Sequence, residues 1–235
     1  YNTLYIMHNT WPLGKIPKEF QRPEPDQIRE LGYDWNKPHE IVEMFEKEIA
    51  EYAGSKYAIA IDCCTNGLFL CLKYIRKEGN IITIPKHTYI SVPKQIINAG
   101  YQANFEDKEW KGIYQLEPFN IWDSAGRFTK DMYIGNDALQ VLSLQIKKRL
   151  PIGRGGIILT DSKNAYDYLT KARYDGRDLN KSQLEDDINT FGYHMYMTPE
   201  DAARGLILFN QLNTTHEDTH SSESYKDITQ NSIFS

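Results

Sequence analysis

The chain has 235 residues, of which 40% are hydrophobic and 25% charged, so it can form a packed core and is not disordered as a whole. Its formal net charge of -5 at pH 7 argues against binding to nucleic acid or to an anionic membrane surface. No apolar run approaches the roughly 20 residues that span a bilayer, and three cysteines do not form a secreted disulfide framework, so we expect a cytoplasmic protein.

The first predicted element is an N-terminal arm. Residues 1–38 are rich in Pro, Trp and Tyr without a period, which predicts an irregular arm that packs through its rings, Tyr1, Tyr5, Trp11 and Trp35. From His39 to Tyr52 apolar residues recur at helical spacing, and Gly54 is typical of the residue that ends a helix.

From Tyr57 onward, short apolar runs alternate with amphipathic segments. The predicted strands are Tyr57–Ile61, Ile81–Ile84, Tyr101–Phe105, Ile113–Leu116, Phe119–Trp122, Gln140–Gln145 and Gly156–Thr160. Helices are predicted after each of the first two strands, over Ser162–Arg173 and over Pro199–Leu212. Such alternation predicts an α/β fold with a mostly parallel sheet that helices cover on both faces. The polar residues Thr214–Ser224 predict a loose tail.

The first candidate site lies between the first predicted strand and the helix that follows it, at Asp62–Asn66. Free backbone N–H groups and the helix dipole make a helix N-terminus a binding site for anions such as phosphate. The hydroxyl of Thr65 adds a donor. The alternative is an ordinary helix N-cap at Thr65.

The second candidate is Asp123, at the end of a predicted strand. A carboxylate there meets ligands at the carboxyl edge of the sheet, where it can hold a protonated heterocyclic nitrogen or a metal. The alternative is an aspartate that only caps a turn or a helix.

The third candidate is the segment in which Ser143 ends a strand, Lys147 and Lys148 follow, and Gly153–Gly156 leads into the next strand. A lysine in a closed site loses its proton readily and can form an imine with an aldehyde. The alternative is a solvated basic loop.

Three features follow one another along the chain: a phosphate-binding turn, a strand-end aspartate, and a serine five residues before a lysine. This order resembles that of fold-type I pyridoxal-phosphate enzymes. More narrowly, the chain resembles the DegT/DnrJ/EryC1/StrS family of sugar aminotransferases, from about Ile41 to Leu212, through further motifs such as Thr88-Tyr89 and Gly192–Thr198. It resembles an unusually short member with a truncated small C-terminal domain. The implied division is an arm (1–38), a cofactor-binding large domain (39–190), a remnant of the small domain or dimer-contact helix (191–213) and a polar tail (214–235).

The resemblance implies a role for each matching residue. Lys148 forms the internal aldimine with pyridoxal 5′-phosphate, Asp123 pairs with the ring nitrogen, and Tyr89 stacks on the ring. The phosphate is bound by the Cys64 backbone, Thr65 and Ser143. Three further positions follow from the same resemblance: Gln145 lies near the substrate, Gly126 replaces a glutamine that contacts the cofactor's phenolic oxygen, and His194 reaches the phosphate in the partner subunit. The last implies a homodimer with shared active sites.

The implied function is transfer of an amino group, with glutamate as the expected donor, to a nucleotide-linked keto-sugar. Two alternatives stay open: a family member that binds cofactor, sugar nucleotide or a partner without turnover, and an α/β interaction module with a solvated lysine loop. The histidines lack metal-ligand spacing, so no metal is expected. His216 and His220 lie in the polar tail, where we expect them to be solvated, and we expect Cys63 and Cys64 to pack rather than react.

Overall fold

The computed structural model describes Pro12 and residues 14–234, so Tyr1, Tyr5 and Trp11 of the predicted arm lie outside the described residues. The helices are α1 (Glu24–Glu30), α2 (Pro38–Ala53), α3 (Cys64–Ile75), α4 (Ser91–Asn98), α5 (Lys163–Ala172) and α6 (Pro199–Phe209). The strands are β1 (Tyr57–Ile61), β2 (Ile81–Pro85), β3 (Gln102–Glu106), β4 (Tyr114–Gln115), β5 (Ile121–Asp123), β6 (Leu139–Ser143) and β7 (Gly156–Thr160). Each helix and strand predicted between residues 39 and 212 is thereby confirmed, with ends that shift by a few residues.

Helix α2 shows why these elements form where they do. Ile41, Phe45 and Ile49 repeat at helical spacing and are fully buried. The backbone N–H of Asn36 donates to the Glu40 carboxylate at 2.7 Å, which satisfies a donor at the start of the helix. Gly54 ends the helix in the left-handed conformation, with φ of 78°, as the sequence predicts.

The main sheet is mixed, so the prediction of a mostly parallel sheet is wrong although the α/β class is confirmed. Its strand order is β1-β7-β6-β5-β4, and β7 is antiparallel to both of its neighbours. Because β5 is parallel to β6, the strands β1, β5 and β6 all run in the same direction. Their carboxyl ends therefore meet at one edge of the sheet. Strands β2 and β3 form a separate parallel pair.

Helices cover both faces of the main sheet, as predicted. Side chains that alternate along each strand enter two apolar clusters: Ile59 and Val141 face the cluster with α3, α4 and α5, whereas Ala58 and Leu142 face the cluster with α2 and α6. This two-sided burial fixes the strands and hence the edge at which they end. None of the helices in the described part of the chain is both long and apolar enough to cross a membrane.

The described part of the N-terminal arm is more regular than predicted. It contains α1, whose Ile28 is fully buried in the cluster with α6. Trp35, as expected, packs its ring: its Nε1 donates to Pro25 O at 3.2 Å, and the Arg29 guanidinium lies 4.4 Å from the ring centroid.

The prediction of a loose tail is also wrong. Residues 214–234, which we call the C-terminal segment, pack back onto the sheet domain. Asp218 forms a forked ion pair with Arg127, Ile228 is buried, and the ring of Phe234 lies 5.4 Å from that of Phe105. A polar composition predicts looseness only where backbone and side-chain groups find no partners, and here they do.

Candidate active site

A cavity of about 430 Å³ lies at the carboxyl edge of β1, β5 and β6, a size typical of small-molecule sites. It is lined by seven of the eight predicted site residues: Cys64, Thr65, Tyr89, Asp123, Ser143, Gln145 and Lys148. These residues are far apart in the sequence. The common direction of the three strands brings them together.

The anion-binding end of the cavity is the N-terminus of α3. The helix begins at Cys64, and its N-cap Cys63 makes no side-chain cap, so Thr65 lies inside the helix and is not an ordinary N-cap. Gly156 allows the close approach of β7 here, because a Cβ at this position would lie 2.6 Å from the Cys64 nitrogen. Thr65 Oγ1 lies 2.8 Å from Ser91 Oγ, which orients its hydroxyl beside the first turn.

The thiols at this turn are held in the protonated form. Burial is the main cause that raises the pKa of Cys63 and, more strongly, that of Cys64. Since the thiolate is the reactive form of cysteine, both thiols are poor nucleophiles, in agreement with the expectation that they pack rather than react.

Asp123 lies at the end of β5, and its carboxyl group is buried and fixed in direction. Oδ1 accepts a hydrogen bond from Ala125 N at 2.9 Å, and Oδ2 accepts one from the Tyr114 hydroxyl at 2.8 Å. Burial raises the pKa of Asp123, while these two hydrogen bonds and the nearby charge of Lys148 oppose the rise. The carboxyl group is therefore suited to share a proton with a basic ligand atom. The predicted alternative of a turn aspartate describes only its contact with Ala125.

Tyr114 is a site residue that the sequence analysis missed. Its hydroxyl donates to Asp123 and therefore accepts from Thr88 Oγ1, which lies 2.5 Å away. In the β4–β5 register Tyr114 is directly opposite Asp123. Pairing the two neighbouring predicted strands as a hairpin would have found it, because such pairing places facing residues in contact.

Lys148 lies in the loop between β6 and β7. Its backbone N–H donates to Gln145 O at 2.8 Å, and buried Leu150 and Ile152 anchor the loop that follows. Lys148 is half-buried, whereas Lys147 and Arg149 are exposed. Burial lowers the pKa of Lys148, with Asp123 and Cys64 opposing the shift. The solvated-loop alternative thus describes the neighbours of Lys148 but not Lys148 itself.

The remaining predicted residues have distinct positions. Ser143 is half-buried at the end of β6, and Gln145 is exposed at the cavity mouth, where its Oε1 accepts from Lys147 N at 2.8 Å. Tyr89 is 56% exposed, so its ring is accessible to a ligand. His194 lies away from the cavity: its imidazole is exposed, and Nδ1 lies 2.9 Å from Asp175 Oδ2.

The C-terminal segment supplies residues that the sequence analysis did not assign to the site. His220, Ser224 and Tyr225 line the cavity beside Trp110. The expectation that His216 and His220 are solvated is wrong, because both are partly buried. No local pattern marks these residues. Their contacts are with loops far earlier in the chain: Gly112 N donates to His220 O, and the ring of Tyr225 stacks on that of Trp110.

Several solved structures share this fold, among them the sugar aminotransferase CalS13 from Micromonospora echinospora, which superposes with a TM-score of 0.63 at 17% identity over 80% of this chain and 64% of CalS13. AtS13 from Actinomadura melliaura superposes with a TM-score of 0.65 at 18% identity, over 80% of this chain and 64% of AtS13. NtdA from Bacillus subtilis, solved with bound cofactor PMP, superposes with a TM-score of 0.60 at 16% identity, over 78% of this chain and 50% of NtdA. The fold is fold-type I of the pyridoxal-phosphate-dependent transferases.

The sequence comparisons find similarity to one family and to one curated protein. The model of the DegT/DnrJ/EryC1/StrS aminotransferase family matches residues 27–130. The spore coat polysaccharide biosynthesis protein SpsC of Bacillus subtilis is 39% identical over 77% of this chain and 59% of its own length. The chain is similar to the DegT/DnrJ/EryC1/StrS aminotransferase family, whose members depend on pyridoxal 5′-phosphate. It spans less than two thirds of the length of SpsC and of AtS13.

Proposed function

We propose that this chain is a pyridoxal-phosphate-dependent aminotransferase that moves an amino group from an amino acid, with glutamate as the expected donor, to a nucleotide-linked keto-sugar in the cytoplasm. The observation that carries the proposal is the single cavity shared by the N-terminus of α3, Asp123 and Lys148. The sugar substrate is supported by the resemblance to SpsC, which is described as a polysaccharide biosynthesis protein.

The chemical groups of the cavity suit the individual parts of the cofactor. The N-terminus of α3, Thr65 and Ser143 offer N–H and O–H donors to a phosphate group. Lys148 offers an amine for the aldehyde, and Asp123 a carboxyl group for the ring nitrogen. Tyr89 offers an exposed ring for stacking. Lys147 and Arg154 add positive charge at the mouth, which favours anionic ligands.

When bound, pyridoxal phosphate supplies an electron sink for the carbon from which the amino group is removed. The chain supplies the groups that bind and move protons. The lowered pKa of Lys148 increases the share of neutral amine, which is the form that attacks a carbonyl. Its Nζ would take a proton from the donor carbon in the first half of the reaction and give one to the acceptor carbon in the second half.

Asp123 would hold the proton at the ring nitrogen, and the surrounding residues keep its carboxyl group in place. Since Tyr114 and Ala125 fix both carboxyl oxygens, the carboxyl group does not rotate away from its ligand. Burial keeps water from competing for this contact.

The proposed assembly is a homodimer with shared active sites, in which His194 serves the cavity of the partner. Two observations support it: His194 lies away from the cavity of its own chain, and the segment before it exposes the apolar side chains of Leu184, Ile188 and Phe191. The molar mass of the wild type and of Phe191→Glu in light scattering tests it. A monomeric wild type would contradict the assembly.

The test of the reaction is an absorption spectrum recorded before and after glutamate is added. The wild type with pyridoxal phosphate should show the visible band that the cofactor gains when it is joined to a lysine, and glutamate should bleach it. Lys148→Ala should lose the band, and Arg149→Ala, the exposed neighbour on its other side, should retain it. A colourless wild type would overturn the proposal.

The second candidate is a protein that binds the cofactor without turnover. Gly126 favours it, because this position at the cavity wall carries no side chain to contact the cofactor. A visible band that glutamate leaves unchanged would support this candidate over the first.

A further inference from the structure

The C-terminal segment crosses the cavity edge through close backbone contacts. Thr219 N donates to Gly126 O at 2.7 Å, and Gly112 N donates to His220 O at 2.9 Å. A Cβ at Gly126 would lie 2.2 Å from the Thr219 carbonyl oxygen, so only glycine admits the segment here. We call residues 218–225 the C-terminal wall. The space that a side chain at position 126 would fill is thus occupied by another part of the same chain.

The C-terminal wall places Tyr225 among the residues of the proposed cofactor site. Its ring is stacked against that of Trp110, at a centroid distance of 5.9 Å, and against that of His220, at 6.2 Å. Burial, with the nearby Asp123 and Tyr89, raises the pKa of Tyr225 to about 12. The phenol therefore stays protonated and is a hydrogen-bond donor. No partner of its hydroxyl lies among the residues that the structure describes.

The hydrogen bonds of Thr219 assign the proton on His220. Thr219 Oγ1 donates its single proton to Gly126 O at 3.1 Å, so toward His220 Nδ1, 3.0 Å away, it can only accept. Nδ1 therefore carries the hydrogen, and Nε2 of the neutral ring is an acceptor. Burial and the charge of Lys148 lower the pKa of His220, which favours this neutral form. Within the described part of the chain, Nε2 has no hydrogen-bond partner.

We propose that His220 and Tyr225 bind the cavity's ligand directly, His220 through Nε2 as an acceptor and Tyr225 through its hydroxyl as a donor. The proposal rests on the proposed function, since it takes pyridoxal phosphate as the cavity ligand. The C-terminal wall is on this account part of the active site, and residues 218–225 set which ligand atoms are recognised beside Lys148 and Asp123. The cavity keeps a volume of about 430 Å³ with the C-terminal wall in place, which indicates that the segment lines the cavity and does not fill it.

The test is the dissociation constant of pyridoxal phosphate, measured in the full chain from the visible band and from quenching of tryptophan fluorescence. Tyr225→Phe keeps the stacked ring and removes only the hydroxyl. His220→Asn keeps a side-chain N–H for Thr219 and suits the backbone φ of 58°, but removes Nε2. Each variant should raise the dissociation constant about fivefold to tenfold, the loss of one hydrogen bond. Lys226→Gln, an exposed neighbour, should leave it unchanged.

Each outcome decides the matter. Unchanged affinity in both variants, with normal binding by the wild type and unchanged melting temperatures, overturns this inference and leaves the proposed function intact. Tighter binding by Tyr225→Phe or His220→Asn also overturns it, since the segment would then compete with the ligand. Failure of the wild type to bind pyridoxal phosphate overturns the inference and the proposed function together.

Discussion

The cavity has two walls that differ in how they are held. The strand wall consists of Cys64, Asp123, Ser143 and Lys148, and it rests on strands whose two faces are both buried. The C-terminal wall, residues 218–225, is held by backbone hydrogen bonds past two glycines and by the half-buried pair of Arg127 and Asp218. The residues whose chemistry needs fixed geometry thus lie on the part with the larger core. We expect the C-terminal wall, which has fewer buried apolar contacts, to open locally without global unfolding.

The largest effect is expected at the buried ion pair beneath the strand wall. Glu46 Oε1 accepts from Ala60 N of β1 at 2.7 Å and pairs with Arg173, whose guanidinium also donates to Ala60 O at 2.6 Å. Glu46→Ala leaves a buried guanidinium without its counter-charge. The free energy of unfolding in urea should fall by about 3–5 kcal/mol.

Two control variants separate charge from packing at this pair. Glu46→Gln keeps an acceptor for Ala60 N and should cost less than Glu46→Ala. Glu46→Met combined with Arg173→Met removes both charges but also the partners of Ala60 N and O, so it should cost less than Glu46→Ala and more than Glu46→Gln. A loss below about 1 kcal/mol in Glu46→Ala would show that the strand wall does not depend on this pair.

The next effect is expected at Gly126, and it should be confined to the C-terminal wall. In Gly126→Ala the new methyl group meets the Thr219 carbonyl oxygen, so the wall must move while the strands stay in place. We expect a stability loss of about 1–3 kcal/mol and faster hydrogen exchange at Thr219. Exchange should be unchanged in β6 and β7. If β6 exchanges faster as well, the two walls do not open independently.

Arg127→Lys should have a smaller effect on the same wall. Arg127 Nε and Nη2 bind the two carboxylate oxygens of Asp218 at 3.0 and 2.7 Å, a fork that an ammonium group does not reproduce. The change should cost about 1 kcal/mol in urea unfolding, with Arg149→Lys, an exposed arginine, as the control. An equal loss of unfolding free energy in Arg127→Lys and Arg149→Lys would show that the forked ion pair adds no stability of its own.

The sequence predicted the strand wall well because its information is local. Apolar runs mark β1 and β6, and residue types at the strand ends mark Asp123, Ser143 and Lys148. The direction of each strand and the opposition of Tyr114 to Asp123 depend on which strands pair, which local patterns do not encode.

The C-terminal wall was missed for a related reason. It is docked through backbone groups of Gly112 and Gly126, and such contacts impose no hydrophobic period on the sequence. Its polar residues therefore led to the prediction of a solvated tail. The glycine at position 126 was the available signal, since a glycine is required wherever another backbone approaches so closely.

The smallest effect expected is a pH dependence that acts on the two walls in opposite directions. The pKa of His220 lies below its ordinary value of about 6.5, because burial and Lys148 disfavour the charged ring. Below that ordinary value, a released segment binds a proton that the docked segment does not, so docking weakens as the pH falls. For Asp123, whose pKa is raised by burial, the folded chain holds the extra proton, and acidification instead favours the folded strand wall. Exchange at Thr219, corrected for the intrinsic rate, should therefore accelerate from about pH 7.5 to about pH 5.5, whereas exchange in β6 should not. His220→Asn should remove the acceleration. If the acceleration of exchange at Thr219 persists in His220→Asn, a group other than His220 controls the pH dependence of docking.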